Sequence, residues 1–299
     1  MVDLSPDLPT VALFRDATET LFALAEGRRA NEPDAPLVPQ RHFVRDADEA
    51  HRIALEGPDP IVGMSLDDLL VCRRMSHPAA SELVAFCAVH RGFLRLMSAP
   101  GLTRIADLRG RRIAVDTDTG YAAALFEILR REGLARGRDY EVVYAGATNV
   151  RFQKLVAGGF DATLLGTPFS RLAQARGFNA LGRVVDALGG YQAIVLCGRR
   201  SWLDAHMAQA DAVALCLTQT LAWARAAAHQ GCRDALLRET LPGCPAPVLQ
   251  AIADDLFGPD SDMVVGRYPD PKDIAVVTSL FNASRGTSLG ASDVACAWR

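Results

Sequence analysis

The chain has 299 residues, of which 49% are hydrophobic and 22% are charged, proportions typical of a globular protein. Its 32 basic and 35 acidic residues give a net charge of −3 at pH 7, which argues against a nucleic-acid-binding protein. No apolar run approaches the ~18 residues that a membrane-spanning helix needs, so we expect no direct membrane insertion.

Short apolar runs alternate with amphipathic stretches along the chain, a pattern typical of α/β proteins with mostly parallel strands. The run 82–97 is too polar at its centre for one buried helix, so we interpret it as a strand leaving one sheet followed by a strand entering another. The remaining strands are predicted at 10–13, 42–44, 61–64, 113–115, 140–144, 161–165, 184–185 and 193–197. Helices are predicted at about 20–25, 46–56, 121–132, 150–156 and 167–176, and they dominate from residue 201 onward.

This order of elements predicts two α/β lobes, between which the chain passes twice. Lobe I is expected to be discontinuous, built from residues 1–92 and 193–299, and lobe II to be inserted as residues 93–192. Each lobe is expected to be a mixed sheet flanked by helices, with a ligand cleft between the lobes.

Three polar loops join strands to helices in the predicted lobe II. The loop 116–120 places Thr117, Thr119 and Gly120 at a helix N-terminus, which favours anions, although a plain helix cap explains the same residues. Arg151 could pair with a carboxylate, sulfonate or phosphate, or simply face solvent. Thr167 precedes Pro168 and is typical of a helix cap. Because the carboxyl ends of strands line the ligand crevice of open α/β sheets, the three loops together predict a cleft.

Two loops of the predicted lobe I face the same cleft, at residues 15–19 and 65–68. Asp67 or Asp68 could orient a polar ligand, and either could equally cap the helix that follows. Tyr191 lies where the chain returns to lobe I, so its ring could stack on a ligand or fill the core.

Motifs for nucleophilic catalysis or metal binding are missing from the sequence. No GxSxG, HExxH or CxxC occurs, and the seven cysteines are irregularly spaced. We therefore expect no cofactor, no metal site, and cysteines that are mostly buried apolar thiols.

Several segments occur in the order found in a known family. They are IADLRGRRIAVDTDTGYAAALFEILRREGL (105–134), DYEVVYAGATNVRFQKLVAGGFDATLLGTP (139–168), ARGFNALGRV (175–184) and GYQAIVLCGRRSW (190–202). This arrangement resembles the type II solute-binding proteins of ABC importers, in the branch that binds nitrate, sulfonates, taurine and thiamine precursors. The resemblance covers roughly residues 60–225.

The resemblance implies a two-lobed, periplasmic-binding-protein-like fold that closes by a hinge on one small ligand. The ligand is expected to be anionic, aromatic or heterocyclic, and an ABC transporter permease is the implied protein partner. By position, the resemblance implies ligand-binding residues Arg15, Asp16 and Thr18 in the first loop, Ser65 and Asp67 in the second, Thr117, Thr119 and Gly120 at the anion-binding helix start, and Thr167 and Tyr191 facing the cleft. Arg151 joins this expected set for the reason given above, as a partner for an anionic group.

The expected function is therefore solute binding without catalysis. The N-terminal segment 1–16 lacks the features of a secretory signal, so the sequence as written predicts a cytoplasmic protein, or a periplasmic one if an export signal is missing. A cytoplasmic location leaves open an enzyme on the same fold, acting on a small organic acid as a decarboxylase, dehydratase or desulfinase does. Its candidate catalytic residues are Asp16, Glu19, Asp67, His90 and Cys72.

Overall fold

Two mixed β-sheets flanked by helices make up the protein, whose structure, a computed structural model, describes residues 8–299. The strands of the described residues are β1 (Val11–Leu13), β2 (Arg41–Phe43), β3 (Ile61–Ser65), β4 (Leu83–His90), β5 (Arg95–Ser98), β6 (Arg112–Val115), β7 (Glu141–Tyr144), β8 (Ala162–Leu165), β9 (Asn179–Arg183), β10 (Ile194–Arg199) and β11 (Met263–Gly266). The α-helices are α1 (Ala17–Asn31), α2 (Ala47–Glu56), α3 (Leu66–Cys72), α4 (Tyr121–Arg131), α5 (Thr148–Val156), α6 (Phe169–Gln174), α7 (Val184–Leu188), α8 (Arg200–Ala205), α9 (Met207–Arg225), α10 (Gln230–Thr240), α11 (Ala246–Phe257), α12 (Pro271–Arg285) and α13 (Ala291–Ala295).

Sheet A has the strand order β11-β4-β10-β3-β1-β2, and sheet B has the order β7-β6-β8-β5-β9. In sheet A, β1 pairs in parallel with β2 and β3, whereas β10 runs antiparallel to β3 and β4. In sheet B, β6 pairs in parallel with β7 and β8, and β5 runs antiparallel to β8 and β9. We call sheet A with its packed helices lobe I, and sheet B with its packed helices lobe II.

The chain passes between the sheets at residues 91–94 and again at 184–193. The two passages lie side by side, because the amide of Ala193 donates to the carbonyl of His90 at 3.2 Å. Gly92 adopts φ +100°, and a Cβ there would lie 3.0 Å from the Cβ of Ala193, so a side chain would push the passages apart. The interpretation of run 82–97 as two strands in different sheets is confirmed, whereas the residue boundaries given for the two lobes stay a prediction.

Side-chain caps start the helices that lie closest to the cleft in lobe I. Asp16 accepts from the amide of Thr18 at 2.8 Å and begins α1, and Ser65 accepts from the amide of Asp68 at 3.0 Å and begins α3. Asp46 begins α2 by accepting from the amide of Glu49 at 2.8 Å. These caps satisfy amides that a helix leaves unpaired, and they fix where each loop turns away from its strand.

Some predicted elements differ from the observed ones. Residues 184–185, predicted as a strand, begin helix α7, while the strand that precedes them is β9. The predicted absence of an export signal rests partly on residues 1–7, which lie outside the described residues. Across residues 8–299, no helix is both long and apolar enough to cross a membrane.

Candidate functional site

A cleft between the lobes lies at the carboxyl ends of parallel strands from both sheets. It encloses about 550 Å³ of space, solvent at its mouth included. Lobe I contributes the loops after β1 and β3, and lobe II those after β6 and β7. The lining residues are Phe14, Asp16, Ala47, Ser65, Asp68, Ala114, Val115, Asp116, Thr117, Thr119, Gly120, Tyr121, Ala122, Leu125, Ala147, Thr148, Arg151, Thr163, Leu164 and Ile194. This position is the one at which open α/β sheets bind ligands.

Part of the predicted ligand-binding set lines this cleft together. Its members are Asp16, Ser65, Thr117, Thr119, Gly120 and Arg151. They come from both lobes and from four separate elements or loops, so the fold brings distant residues to one place. That each of them contacts a ligand stays a prediction.

Three further predicted residues, Arg15, Asp67 and Tyr191, do not line the cleft, because their side chains contact other parts of the protein. Arg15 is exposed, and its guanidinium lies 3.8 Å from the centre of the Phe43 ring. Asp67 and Tyr191 are buried together, and the Tyr191 hydroxyl donates to Asp67 at 2.5 Å. Burial raises the pKa of Asp67 to about 8 despite that hydrogen bond, so the pair serves as a neutral contact near the passages at physiological pH.

The last two predicted residues, Thr18 and Thr167, also lie outside the lining. Thr18 is buried in the first turn of α1, where its hydroxyl has no hydrogen-bond partner in the described part of the chain. The Thr167 hydroxyl donates to Asp255 at 2.7 Å, and α6 begins after Pro168 without a side-chain cap. Thr167 therefore faces α11 and not the cleft, because a distant carboxylate takes the hydroxyl that was expected to cap the helix.

Asp255 is the centre of a group of ion pairs between the lobes, which we call the Asp255 cluster. Arg95 of β5 contacts it at 2.8 Å and Arg171 of α6 at 2.6 Å. Nearby, Arg183 at the end of β9 contacts Asp262 at 3.0 Å. Both carboxylates lie on the segment from α11 to β11, so these pairs bind lobe II to the C-terminal part of the chain.

Asp68, the neighbour of Asp67 at the start of α3, is the carboxylate of this pair that lines the cleft. It is 5% exposed, and its oxygens contact the ring of His51 at 3.1 Å and the hydroxyl of Ser65 at 2.7 Å. Burial would raise the pKa of Asp68, but the hydrogen bond and charge of His51 lower it below its usual value. Burial would likewise lower the pKa of His51, but its bonds to Asp68 and Cys72 raise it to about 10. The pair is therefore ionised, with Asp68 negative and facing the cleft.

Cys72 lies behind His51, away from the cleft. Its side chain is fully buried, and burial raises the pKa of its thiol. Because a nucleophilic cysteine needs an accessible thiolate, this arrangement does not support Cys72 as a nucleophile.

Asp116 and Arg151 are the charged residues on the lobe II side of the cleft. Burial raises the pKa of Asp116 to about 6, although the charge of Arg151 opposes the increase, and its Oδ1 has no hydrogen-bond partner within residues 8–299. Arg151 is 3% exposed, and its terminal nitrogens donate to the carbonyl of Gly146 at 2.6 Å and to the hydroxyl of Thr148 at 3.2 Å. Its Nε, by contrast, is buried and unpartnered among the described residues. Buried polar atoms without partners are rare in proteins, so these two atoms mark a place where a ligand can bind.

The lobes already touch across one edge of the cleft. Gly120 adopts φ +56° and ψ −129°, and a Cβ there would lie 2.8 Å from Asp68 Oδ2 and 3.3 Å from Ser65 Oγ. At the opposite edge, the amide of Ala147 donates to the carbonyl of Arg45 at 3.3 Å. These contacts join lobe I to lobe II, so the cleft is in a closed arrangement.

Comparison with known proteins finds similarity in structure and not in sequence. No family model matches the chain, and no curated protein matches it by sequence. The alkanesulfonate-binding protein SsuA from Xanthomonas axonopodis pv. citri, bound to MOPS, superposes with a TM-score of 0.73 at 17% identity, covering 94% of each chain. The chain has the two-lobed fold of such binding proteins.

Two other solved structures show the same fold. The periplasmic nitrate-binding protein NrtA from Synechocystis PCC 6803 has a TM-score of 0.73 at 9% identity, over 98% of this chain and 85% of the other. A ligand-binding component of an ABC-type import system from Staphylococcus aureus, with zinc bound, has a TM-score of 0.72 at 12% identity, over 97% and 96%. The three named proteins bind different solutes, so the fold alone does not indicate the ligand of this cleft.

Proposed function

We propose that this protein captures one small solute between its lobes, by hinge closure, for an ABC-type importer. The observation that carries the proposal is the closed cleft, in which two buried polar atoms from one lobe, Asp116 Oδ1 and Arg151 Nε, have no partner in residues 8–299. A solute held there would provide the missing hydrogen bonds and connect the two lobes. The similarity to binding proteins of import systems supports both the solute-binding role and a permease as partner.

Native mass spectrometry of the purified protein tests the capture of a solute. We expect one small molecule retained per chain, which is lost after unfolding and dialysis and regained from a cell extract. We also expect it to leave the protein chemically unchanged. Recovery of a converted product would favour the alternative of an enzyme on this fold.

Fluorescence energy transfer between labels on the two lobes tests the closure. Suitable exposed positions are Asp48 on α2 and Glu141 on β7, the edge strand of sheet B farthest from the passages, each changed to cysteine after Cys232 and Cys296 are replaced by serine. The distance between the labels should shorten when the retained solute is added back. A control pair at Asp48 and Asp211, both in lobe I, should show no change. No retained solute together with an unchanged distance would refute the proposed function.

A further inference from the structure

The lobe I side of the cleft presents carboxylates to a ligand. Asp16 and Asp68 both line it, and the charge of Asp68 is balanced by its buried partner His51, whereas within residues 8–299 Asp16 has no such partner at hydrogen-bond distance. The carboxylate of Asp16 lies 3.6 Å from the ring of His90, whose Nε2 has no hydrogen-bond partner among the described residues. Because α1 and α3 are already capped by Asp16 and Ser65, the helix N-termini on this side present carboxylate and hydroxyl oxygens to a ligand in place of open amides.

The lobe II side has a different character. Helices α4 and α5 both begin at the cleft without a side-chain cap, so their N-termini favour an acceptor group on the ligand. The guanidinium of Arg151 does not offer both terminal nitrogens for bidentate binding of an oxyanion, because they already donate to Gly146, Thr148 and Leu164. Nε is the one guanidinium nitrogen of Arg151 without a partner among the described residues, and the charge of Asp116 beside it offsets the positive charge of Arg151.

Two aromatic rings complete the lining. Phe14 lies two residues before Asp16, and Tyr121 begins α4, with its ring 6.3 Å from that of Tyr191. Aromatic faces beside carboxylates attract cations through the ring quadrupole. Three carboxylates, two aromatic rings and a single guanidinium thus line the same cavity.

We propose that the ligand carries a protonated amine or amidine group that binds Asp16 and Asp68 of lobe I, with an acceptor group facing Arg151 and the helix N-termini of lobe II. This inference rests on the proposed function and narrows the class of solute. A bare inorganic oxyanion could bind the donors of lobe II, but it would leave Asp16 and Asp68 of lobe I facing a group of the same sign of charge. Charge-assisted hydrogen bonds of this kind strengthen binding by about 10- to 100-fold.

Binding of probes that differ only in their charged groups tests the inference. The aliphatic set is 4-aminobutyrate, butyrate and butylamine, and the aromatic set is 4-(aminomethyl)benzoate, 4-methylbenzoate and 4-methylbenzylamine. Calorimetry on protein freed of retained solute measures each affinity. We expect each amino acid to bind at least tenfold more tightly than its acid without the amine.

Two aspartate variants locate the effect. Asp16→Asn should remove most of the preference for the amine, since asparagine can still cap α1 but carries no charge. The matched control is Asp118→Asn, because Asp118 is exposed and pairs with Arg136 and Tyr144 outside the cleft. That variant should keep the preference.

The outcomes separate the inference from the proposed function. A preference for the acids, or no binding in either set, overturns the inference, and so does an unchanged preference in Asp16→Asn. The proposed function fails by a different result, namely the absence of any retained solute and of closure in the experiments above.

Discussion

Replacement of Gly120 by alanine tests whether contact between the lobes controls binding. In the closed structure the new Cβ would lie 2.8 Å from Asp68 Oδ2, closer than real Cβ contacts occur. Asp68 cannot move away without cost, because the same carboxylate is held by Ser65 at 2.7 Å and by His51 at 3.1 Å. Overpacking of this kind costs about 1–3 kcal/mol, and it acts only when the lobes are closed. We therefore expect the affinity for the retained solute to fall by roughly 5- to 150-fold.

The control for this variant is Gly133→Ala, just beyond the other end of α4. Gly133 also has a positive φ, +76°, but a Cβ there meets no atom within 4 Å. The control thus carries backbone strain without a clash between lobes, and it should lower the free energy of unfolding while leaving affinity unchanged. Calorimetry and the label distance described above measure both variants. Equal affinity of Gly120→Ala and Gly133→Ala would refute the reasoning.

Three further predictions concern stability and accessibility. The pKa of Asp67 is raised to about 8 in the folded state, so between about pH 4 and 8 the folded protein holds more protons than the unfolded chain, and its free energy of unfolding should fall as pH rises. Urea titrations at several pH values should show a smaller fall in Asp67→Asn, and an identical slope in the variant and the original protein would contradict this. Asp255→Ala leaves two arginines without their partner, and thermal unfolding should reveal a loss of about 3–5 kcal/mol, whereas a loss under 1 kcal/mol would argue against a structural role for the Asp255 cluster. In native protein, iodoacetamide should label Cys232 and Cys296 rapidly and Cys197 only after unfolding, as mass spectrometry can determine; rapid labelling of Cys197 would show that β10 opens readily.

The general plan of the fold was predictable from local patterns. The alternation of apolar runs and amphipathic stretches predicted most strands, and the polar centre of 82–97 predicted the first passage between sheets. Residues 184–185 were misassigned because two valines favour a strand in isolation, yet here they open a short helix after β9. A tertiary contact holds the start of this helix, since the amide of Val184 donates to the carbonyl of Leu94 on the other passage.

The chemistry of the cleft was harder to predict, because it depends on which way neighbouring side chains point. Asp67 and Asp68 are adjacent and alike in sequence, but a step of one residue along α3 sends Asp67 to Tyr191 and Asp68 to His51 and the cleft. Thr167 has the sequence context of a helix cap, but its hydroxyl binds Asp255, which lies 88 positions away. A single sequence contains no signal for such long-range pairings.

The position of β10 affects the order in which a growing chain can fold. β10 lies between β3 and β4 at the centre of sheet A, yet it follows every strand of sheet B in the sequence. While the ribosome is still synthesising residues 95–183, the facing edges of β3 and β4 have no strand to pair with. Sheet B, whose strands are contiguous in sequence, can complete its pairing first. We therefore expect a chain released before residue 194 to contain a formed sheet B and an unfinished, aggregation-prone sheet A.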